Sequence, residues 1–173
     1  IPGKIKTDDI VRHSFAGCMH NEKGQAENVR HIEEESHKYN AQRIVQETNG
    51  KYIVVFPPFQ PMSQNELDQS FDLPYTRMPH PKYKGKTIPA YEMIKFSVCL
   101  HRGCFGGCAF CTISAHQGKF ITSRSKESIL NEVKAIVNMP DFKGYISDLG
   151  GPSANMYAMQ GRNTNICHKC KRP

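Results

Sequence analysis

The sequence predicts an α/β fold, and three stretches in its C-terminal half carry that prediction. Met93 to Cys99, with Met93, Ile94, Phe96, Val98 and Cys99, has the apolar run of a buried strand. Ser125 is placed to cap a helix in which Ile129, Leu130, Val133, Ile136 and Val137 recur on one face at the helical period. Gly144 to Leu149 reads as a second strand, broken by Gly150-Gly151-Pro152. Strand, helix and strand in this order make a βαβ unit, whose strands should pair in parallel with a right-handed crossover. The loop after the first strand then leaves its C-terminal end, where open α/β sheets and α/β barrels place their sites.

The N-terminal half reads differently. Residues 1–22 mix polar side chains with a short apolar cluster, Ile10, Val11 and Phe15, consistent with one weak helix or a docking arm. From Glu22 to Thr48 there is no proline, and Glu, Gln, Ala, Lys and Arg dominate, which predicts the longest helix of the chain. Its apolar positions, Ala26, Val29, Ile32, Tyr39, Ile44 and Val45, form a sparse stripe, and Glu33, Glu34 and Glu35 read as a solvated face. Asn49-Gly50 is expected to stop that helix, with a short strand from Tyr52 to Phe56 after it.

Seven prolines fall between Pro57 and Pro89, each fixing its own φ and pushing its predecessor toward extended geometry. One helical turn at Asn65-Glu66-Leu67-Asp68 is compatible with this, and Leu73 to Pro81 reads as an extended arm lying across a neighbouring domain. The expected organisation is thus a helical region with a short strand over 1–56, a Pro-rich extended linker over 57–92, and a truncated core over 93–173.

Composition bounds the function classes. Hydrophobic residues make up 38% and Trp is absent, so a core built by this chain is thin and the chain reads as a fragment. No stretch has the apolar length of a membrane span or the apolar block of a secretory signal, which makes a cytoplasmic protein without membrane contact the expectation. A net charge of +7 permits contact with a polyanion. Lys and Arg are spread along the chain without an aromatic-basic module, so direct nucleic-acid binding is the less favoured reading.

Three of the seven cysteines crowd into one loop, Cys104-Phe105-Gly106-Gly107-Cys108-Ala109-Phe110-Cys111, spaced C-x3-C-x2-C. A loop of this length can wrap three sulfurs around one face of a cubane, with Gly103, Gly106 and Gly107 allowing close approach of the backbone. Thiolate is soft enough to hold an iron-sulfur cluster, and three ligands leave one iron of a 4Fe-4S cubane free. The alternatives are a zinc knot or three unpaired thiols. Zinc favours paired C-x2-C hooks with a fourth ligand, so this spacing between a strand and a helix fits a cluster better.

The same motif resembles the signature of the radical S-adenosylmethionine (radical SAM) superfamily, C-x3-C-x-aromatic-C, with Phe110 at the aromatic position. The resemblance implies a 4Fe-4S cluster on Cys104, Cys108 and Cys111, whose free iron chelates S-adenosylmethionine. It further implies reductive cleavage of that cofactor to a 5′-deoxyadenosyl radical, which abstracts hydrogen from a substrate; an electron donor is implied as well. Gly150-Gly151-Pro152 stands where the superfamily often carries Gly-Gly-Glu, whose backbone receives the amino group of S-adenosylmethionine. The glycines match and the acid does not, and an ordinary strand-ending turn accounts for the residues equally well.

More of the chain is similar to the YgiQ family of uncharacterised radical SAM proteins. The similarity runs through Leu73-Pro74-Tyr75, Pro79-His80-Pro81, Ile88 to Ile94, Arg102 to Cys108 and Ile146 to Pro152. Those proteins are much longer, which implies that the chain is an internal fragment holding the first βαβ unit of a partial (β/α) barrel. The family supplies no substrate. RNA modification by radical chemistry, or a non-enzymatic zinc module that adds Cys167 and Cys170 to the loop cysteines, are the competing readings.

Cys167-His168-Lys169-Cys170 is half of a metal hook or a pair of solvent-facing thiols. Cys18 and Cys99 read as ordinary thiols. His101, His116 and Arg102 flank the loop and could tune it, and Arg124 could meet an anionic cofactor group beside a helix start. None of these four is assigned a catalytic role.

Overall fold

The computed structural model describes residues 4–36, 38–152, 154–161 and 165, and divides the chain into two compact units, one built mainly of residues up to Gln60 and one of Pro61–Gln160. The mixed α/β character expected from the sequence is present in both.

In the first unit the order is β1 (Ile10–Val11), α1 (Phe15–Met19), α2 (Glu22–Ser36), β2 (Ile44–Thr48) and β3 (Lys51–Val55). β2 lies in the middle of a three-stranded sheet, parallel to β1 through Ile10↔Ile44 and antiparallel to β3 through Thr48↔Lys51. The long helix predicted over 22–48 therefore stops at Ser36. Ile44, Val45 and Thr48 are β-branched, and sheet pairing buries Val45 completely, which outweighs the helix propensity of the residues around them. Asn49 and Gly50 have φ of 52° and 72°, and they turn β2 into β3 as a hairpin instead of ending a helix. On the outer strand β3, Tyr52, Ile53 and Val55 each stay more than half exposed.

This unit is held together largely by polar contacts. The buried Asn28 of α2 accepts the His13 N–H at Oδ1 (3.1 Å), and its Nδ2 donates to the His13 carbonyl (3.2 Å) and to Cys18 Sγ (2.8 Å). The buried Glu35 accepts the Gln42 N–H at 2.7 Å and pairs with Lys38, fixing the chain between α2 and β2. Arg43 grips both oxygens of Asp9 and covers the Phe56 ring at 5.5 Å. Hydrogen bonding from Arg43 holds the Asp9 carboxyl below its ordinary range, and Asp9 raises Arg43 in return.

In the second unit, α3 (Gln64–Phe71) is longer than the single turn expected. Ser63 caps it with a full capping box, Ser63 N–H donating to Glu66 (2.7 Å) and Glu66 N–H to Ser63 Oγ (3.3 Å). α4 (Pro89–Ile94) takes up the start of the strand predicted over 93–99, because Pro89 at its first turn presets the helical φ; β4 is only Ser97–Cys99. Lys95 closes α4 between Asp141 and Glu92, and the hydrogen bonds with Asp141 raise the Lys95 ammonium and lower the Asp141 carboxyl.

Next come β5 (His101–Arg102), α5 (Ile113–Gln117), β6 (Thr122–Ser123), α6 (Lys126–Val137) and β7 (Asp148–Gly150). Ser125 caps α6 through the Ser128 N–H (3.1 Å), and Asn138 ends it, both as the sequence predicts. β4 and β7 pair in parallel, Val98 against Leu149 and Cys99 against Gly150, as expected, but β7 keeps only the end of the stretch predicted over 144–149 and runs on through Gly150. An antiparallel pair, β5 with β6, was not expected. Phe96, Val98, Leu100 and Ile136 make the core, with Ile129, Val133, Phe142 and Tyr157 packed on it and Phe96 edge-on to Phe142 at 5.4 Å. Leu130 and Val137, predicted on the same face of α6, remain half exposed.

Below this core lies an ionic bridge. Glu132 of α6 pairs through one oxygen with Arg124, which is fully buried, and through the other with Arg77 of the Pro-rich arm. Arg77, at φ 54°, also donates to the carbonyls of Lys95 (3.1 Å) and Ser97 (2.9 Å), and its own carbonyl accepts the Tyr91 hydroxyl (3.1 Å). The arm predicted to cross a neighbouring domain is thus fastened to its own.

Glu132→Ala leaves the buried Arg124 guanidinium uncompensated and frees Arg77. A loss of about 3 kcal/mol is expected, read as a lower urea midpoint, with Glu132→Gln intermediate. In the first unit, unfolding returns Asp9 to a pKa of about 3.9. A carboxyl depressed in the folded state contributes stability that is present above that value and lost as pH falls through the lower folded one. Arg43→Gln should therefore flatten the fall of stability measured by circular dichroism below about pH 4.

Candidate metal and cofactor site

The cysteine loop begins where two short strand pairs meet. β4 continues past Cys99, with Leu100 N–H donating to the Gly150 carbonyl at 2.8 Å, and β5 then crosses to β6. Gly103, at φ 88°, packs so closely on the Phe120 carbonyl that a Cβ would overlap it. The next residue is held by the same segment, Cys104 N–H donating to the Gly118 carbonyl at 3.0 Å. The first cysteine is therefore fixed through its backbone to the segment that leads into β6, next to a strand pair that the sequence did not reveal.

Cys104 is buried, Cys111 is half-buried and Cys108 is exposed. A tight turn joins the last two, Cys111 N–H donating to the Cys108 carbonyl at 3.0 Å. Gly106 lies between the first two. The position its Cβ would take is 3.4 Å from Cys104 Sγ, 3.7 Å from Cys108 Sγ and 4.0 Å from the Met156 methyl. A Cβ there would come into van der Waals contact with both sulfurs, so glycine leaves them uncrowded on this side. Phe110, the predicted aromatic position, is 90% exposed, and α5 starts just after Cys111.

Among the described residues no three His, Cys, Asp or Glu side chains close on one point as ligands of a single metal ion do. A cubane spreads its thiolates over separate corners and needs no such convergence. Three cysteines on a glycine-rich loop, with Gly106 beside the sulfurs of two of them, fit a thiolate-held iron-sulfur group in donor chemistry.

Gly150 and Gly151 sit at the end of β7. Gly150 pairs with Cys99, and Gly151 is packed against the fully buried His101, whose ring a Cβ at 151 would overlap. His101 Nε2 accepts the Met156 N–H at 2.9 Å, tying the chain after Gly151 back to the cysteine loop. The sequence suggested His101 as a residue flanking the loop that could tune it; its burial follows from the β5–β6 pair, which lies past the end of the predicted strand and left no signal. Arg102 and His116 are exposed.

Arg124 departs from expectation. Its guanidinium donates to Ser128 Oγ (3.2 and 2.8 Å), the Ser128 carbonyl (3.1 Å), the Cys99 carbonyl (2.9 Å) and Glu132, and it stacks on Phe71 at 4.2 Å. Every N–H is committed inside the fold, so no donor is left for an anionic cofactor group. Cys99 Sγ donates to the His101 carbonyl at 3.1 Å, and Cys18 belongs to the first unit. Cys167 and Cys170 lie outside the described residues.

Comparison with known proteins places this geometry in context. The family described as Radical SAM N-terminal matches residues 3–97, more than half of the chain, ending before Cys104. A UPF0313 protein of Bacteroides thetaiotaomicron is 71% identical over 166 residues, covering 96% of this chain and 27% of the relative. UPF0313 protein YgiQ of Escherichia coli is 50% identical over 133 residues, 76% of this chain and 18% of the relative. A UPF0313 protein of Methanocella arvoryzae is 46% identical over 88% of this chain and 25% of its own length. The chain thus spans roughly a quarter or less of the curated relatives it matches. No solved structure matches it.

Two glycine substitutions separate packing from backbone strain in the loop. Gly107→Ala, at φ 60° with its nearest neighbour 3.9 Å away, should cost about 1 kcal/mol. Gly103→Ala meets both that strain and the Phe120 carbonyl, and a distinctly larger drop in thermal midpoint is expected.

Proposed function

We propose, from the premise that the chain belongs to the radical SAM N-terminal family, that in the intact protein it supplies the cluster-binding segment of a radical SAM enzyme. The matches to UPF0313 proteins along most of the chain support the same reading. The observation that carries it is the loop itself: Cys104 and Cys108 bring their sulfurs beside Gly106, at the C-terminal end of a strand paired in parallel with β7. That end of a parallel pair is where α/β sheets place their ligands. On this reading β4, α6 and β7 are the first βαβ unit of a partial (β/α) barrel.

Cys104, Cys108 and Cys111 would hold the 4Fe-4S cluster, and Phe110, Gly150 and Gly151 would border S-adenosylmethionine. When bound, this pair supplies one-electron reductive cleavage that yields a radical able to abstract hydrogen from a substrate. The chain's own residues do the positioning. Backbone contacts from Gly118 and Phe120 fix the start of the loop, and the exposed Phe110 offers an uncommitted aromatic face. The Gly150 carbonyl accepts the Leu100 N–H and keeps a second lone pair, so the backbone of Gly150 and Gly151 together would receive the cofactor's amino group. Pro152 contributes no carboxylate there. The substrate is unassigned.

Anaerobic reconstitution of the intact protein with iron and sulfide should give broad visible absorbance, and added reductant and S-adenosylmethionine should yield 5′-deoxyadenosine. Cys104→Ala, Cys108→Ala and Cys111→Ala should each abolish both. The isolated 173-residue chain should bind S-adenosylmethionine weakly. Uptake of zinc in place of iron and sulfide by the intact protein would refute the assignment.

A further inference from the structure

His101 and Met156 have no part in the proposed cofactor roles, yet they contact residues that do. The His101 ring is fully buried, and it accepts the Met156 N–H at Nε2 (2.9 Å). With Nε2 accepting, the neutral ring carries its proton on Nδ1, which is buried and meets no hydrogen-bond partner among the described residues. A buried polar group left so is costly, and an aliphatic side chain would fill the same space without that cost. Retention of an imidazole there points to the bond that it does make. The chain is shaped around the same edge of the ring at Gly151, where a Cβ would overlap Nε2 and Cε1.

What that bond positions is Met156. Its methyl is 4.0 Å from the point where a Gly106 Cβ would stand, the same point that Cys104 Sγ and Cys108 Sγ approach to 3.4 and 3.7 Å. We propose that His101 is a positioning residue for the cluster loop: by accepting the Met156 N–H it holds Met156 with its methyl beside Gly106, between the first two candidate ligands. The inference rests on the cluster reading above. A soft, apolar group beside Gly106 narrows the access of water to the loop on the side of the buried Cys104 and lowers the local dielectric. Water favours the more highly charged reduced cluster, so shielding keeps the potential low and the iron held.

The test compares wild type, His101→Leu, His101→Gln and Met156→Ala of the intact protein, each reconstituted anaerobically with iron and sulfide. Iron retention against a chelator and the midpoint potential from a spectroscopic redox titration are the readouts. His101→Leu and Met156→Ala should lose iron on the order of tenfold more readily and show a higher potential. His101→Gln, whose amide oxygen can replace Nε2 as acceptor, should recover most of both. Should His101→Leu fail to fold, Met156→Ala decides, because it leaves the ring and its packing in place. Retention and potential unchanged in folded Met156→Ala would overturn the inference. Failure of the wild type to take up iron and sulfide overturns the parent reading instead.

Discussion

One carboxylate holds the second unit in its working shape. Glu132 reaches from α6 to two arginines at once, one buried beneath the cysteine loop and one in a proline-rich arm far away in sequence. Through Arg124 the bridge touches the carbonyl of Cys99, the last residue of the strand before the loop. Through Arg77 it touches the carbonyls at the start of the same strand. The strand that launches the candidate ligands is therefore gripped at both ends by guanidinium groups that share a single acid. Ion pairs so shielded gain little over a hydrophobic substitute, and their value lies in fixing one arrangement of the elements that they join.

The first unit shows the same economy of apolar material. Its sheet buries Ile44 and Val45, and the rest of its order comes from Asn28, Glu35 and Arg43, whose polar atoms satisfy backbone groups and one another. The modest hydrophobic content anticipated a thin core, and the physical answer is side-chain hydrogen bonding in its place. The helix α2 illustrates the point, since its apolar residues Val29 and Ile32 face outward while Gly24, Asn28 and Glu35 face in.

Where local chemistry decides, the sequence was legible. Ser125 and Asn138 bound α6 as expected, and the parallel pairing of β4 with β7 follows from the order of elements. Long-range partners were not legible. Residues 44–48 looked helical beside their neighbours, and only pairing on both sides makes them a strand. Arg124 looked like a ligand for an anion because it precedes a helix, while its actual partners, Glu132 and the Cys99 carbonyl, are set by packing. Gly151 was read for its backbone, and the structure adds that its missing side chain makes room for His101. The spacing of the loop cysteines was visible at once, but the strand pair next to Cys104 was hidden, being two residues on each side.

The outer strand of the hairpin has a consequence for handling the molecule. Its outward backbone groups have no neighbouring strand in the three-stranded sheet, and aromatic and branched side chains line it in the open. Such an edge is a template for intermolecular zippering. Kept at high concentration, the chain would tend to self-associate through this rim, far along the sequence from the cysteine loop, and a charged residue in place of Ile53 would blunt that stickiness.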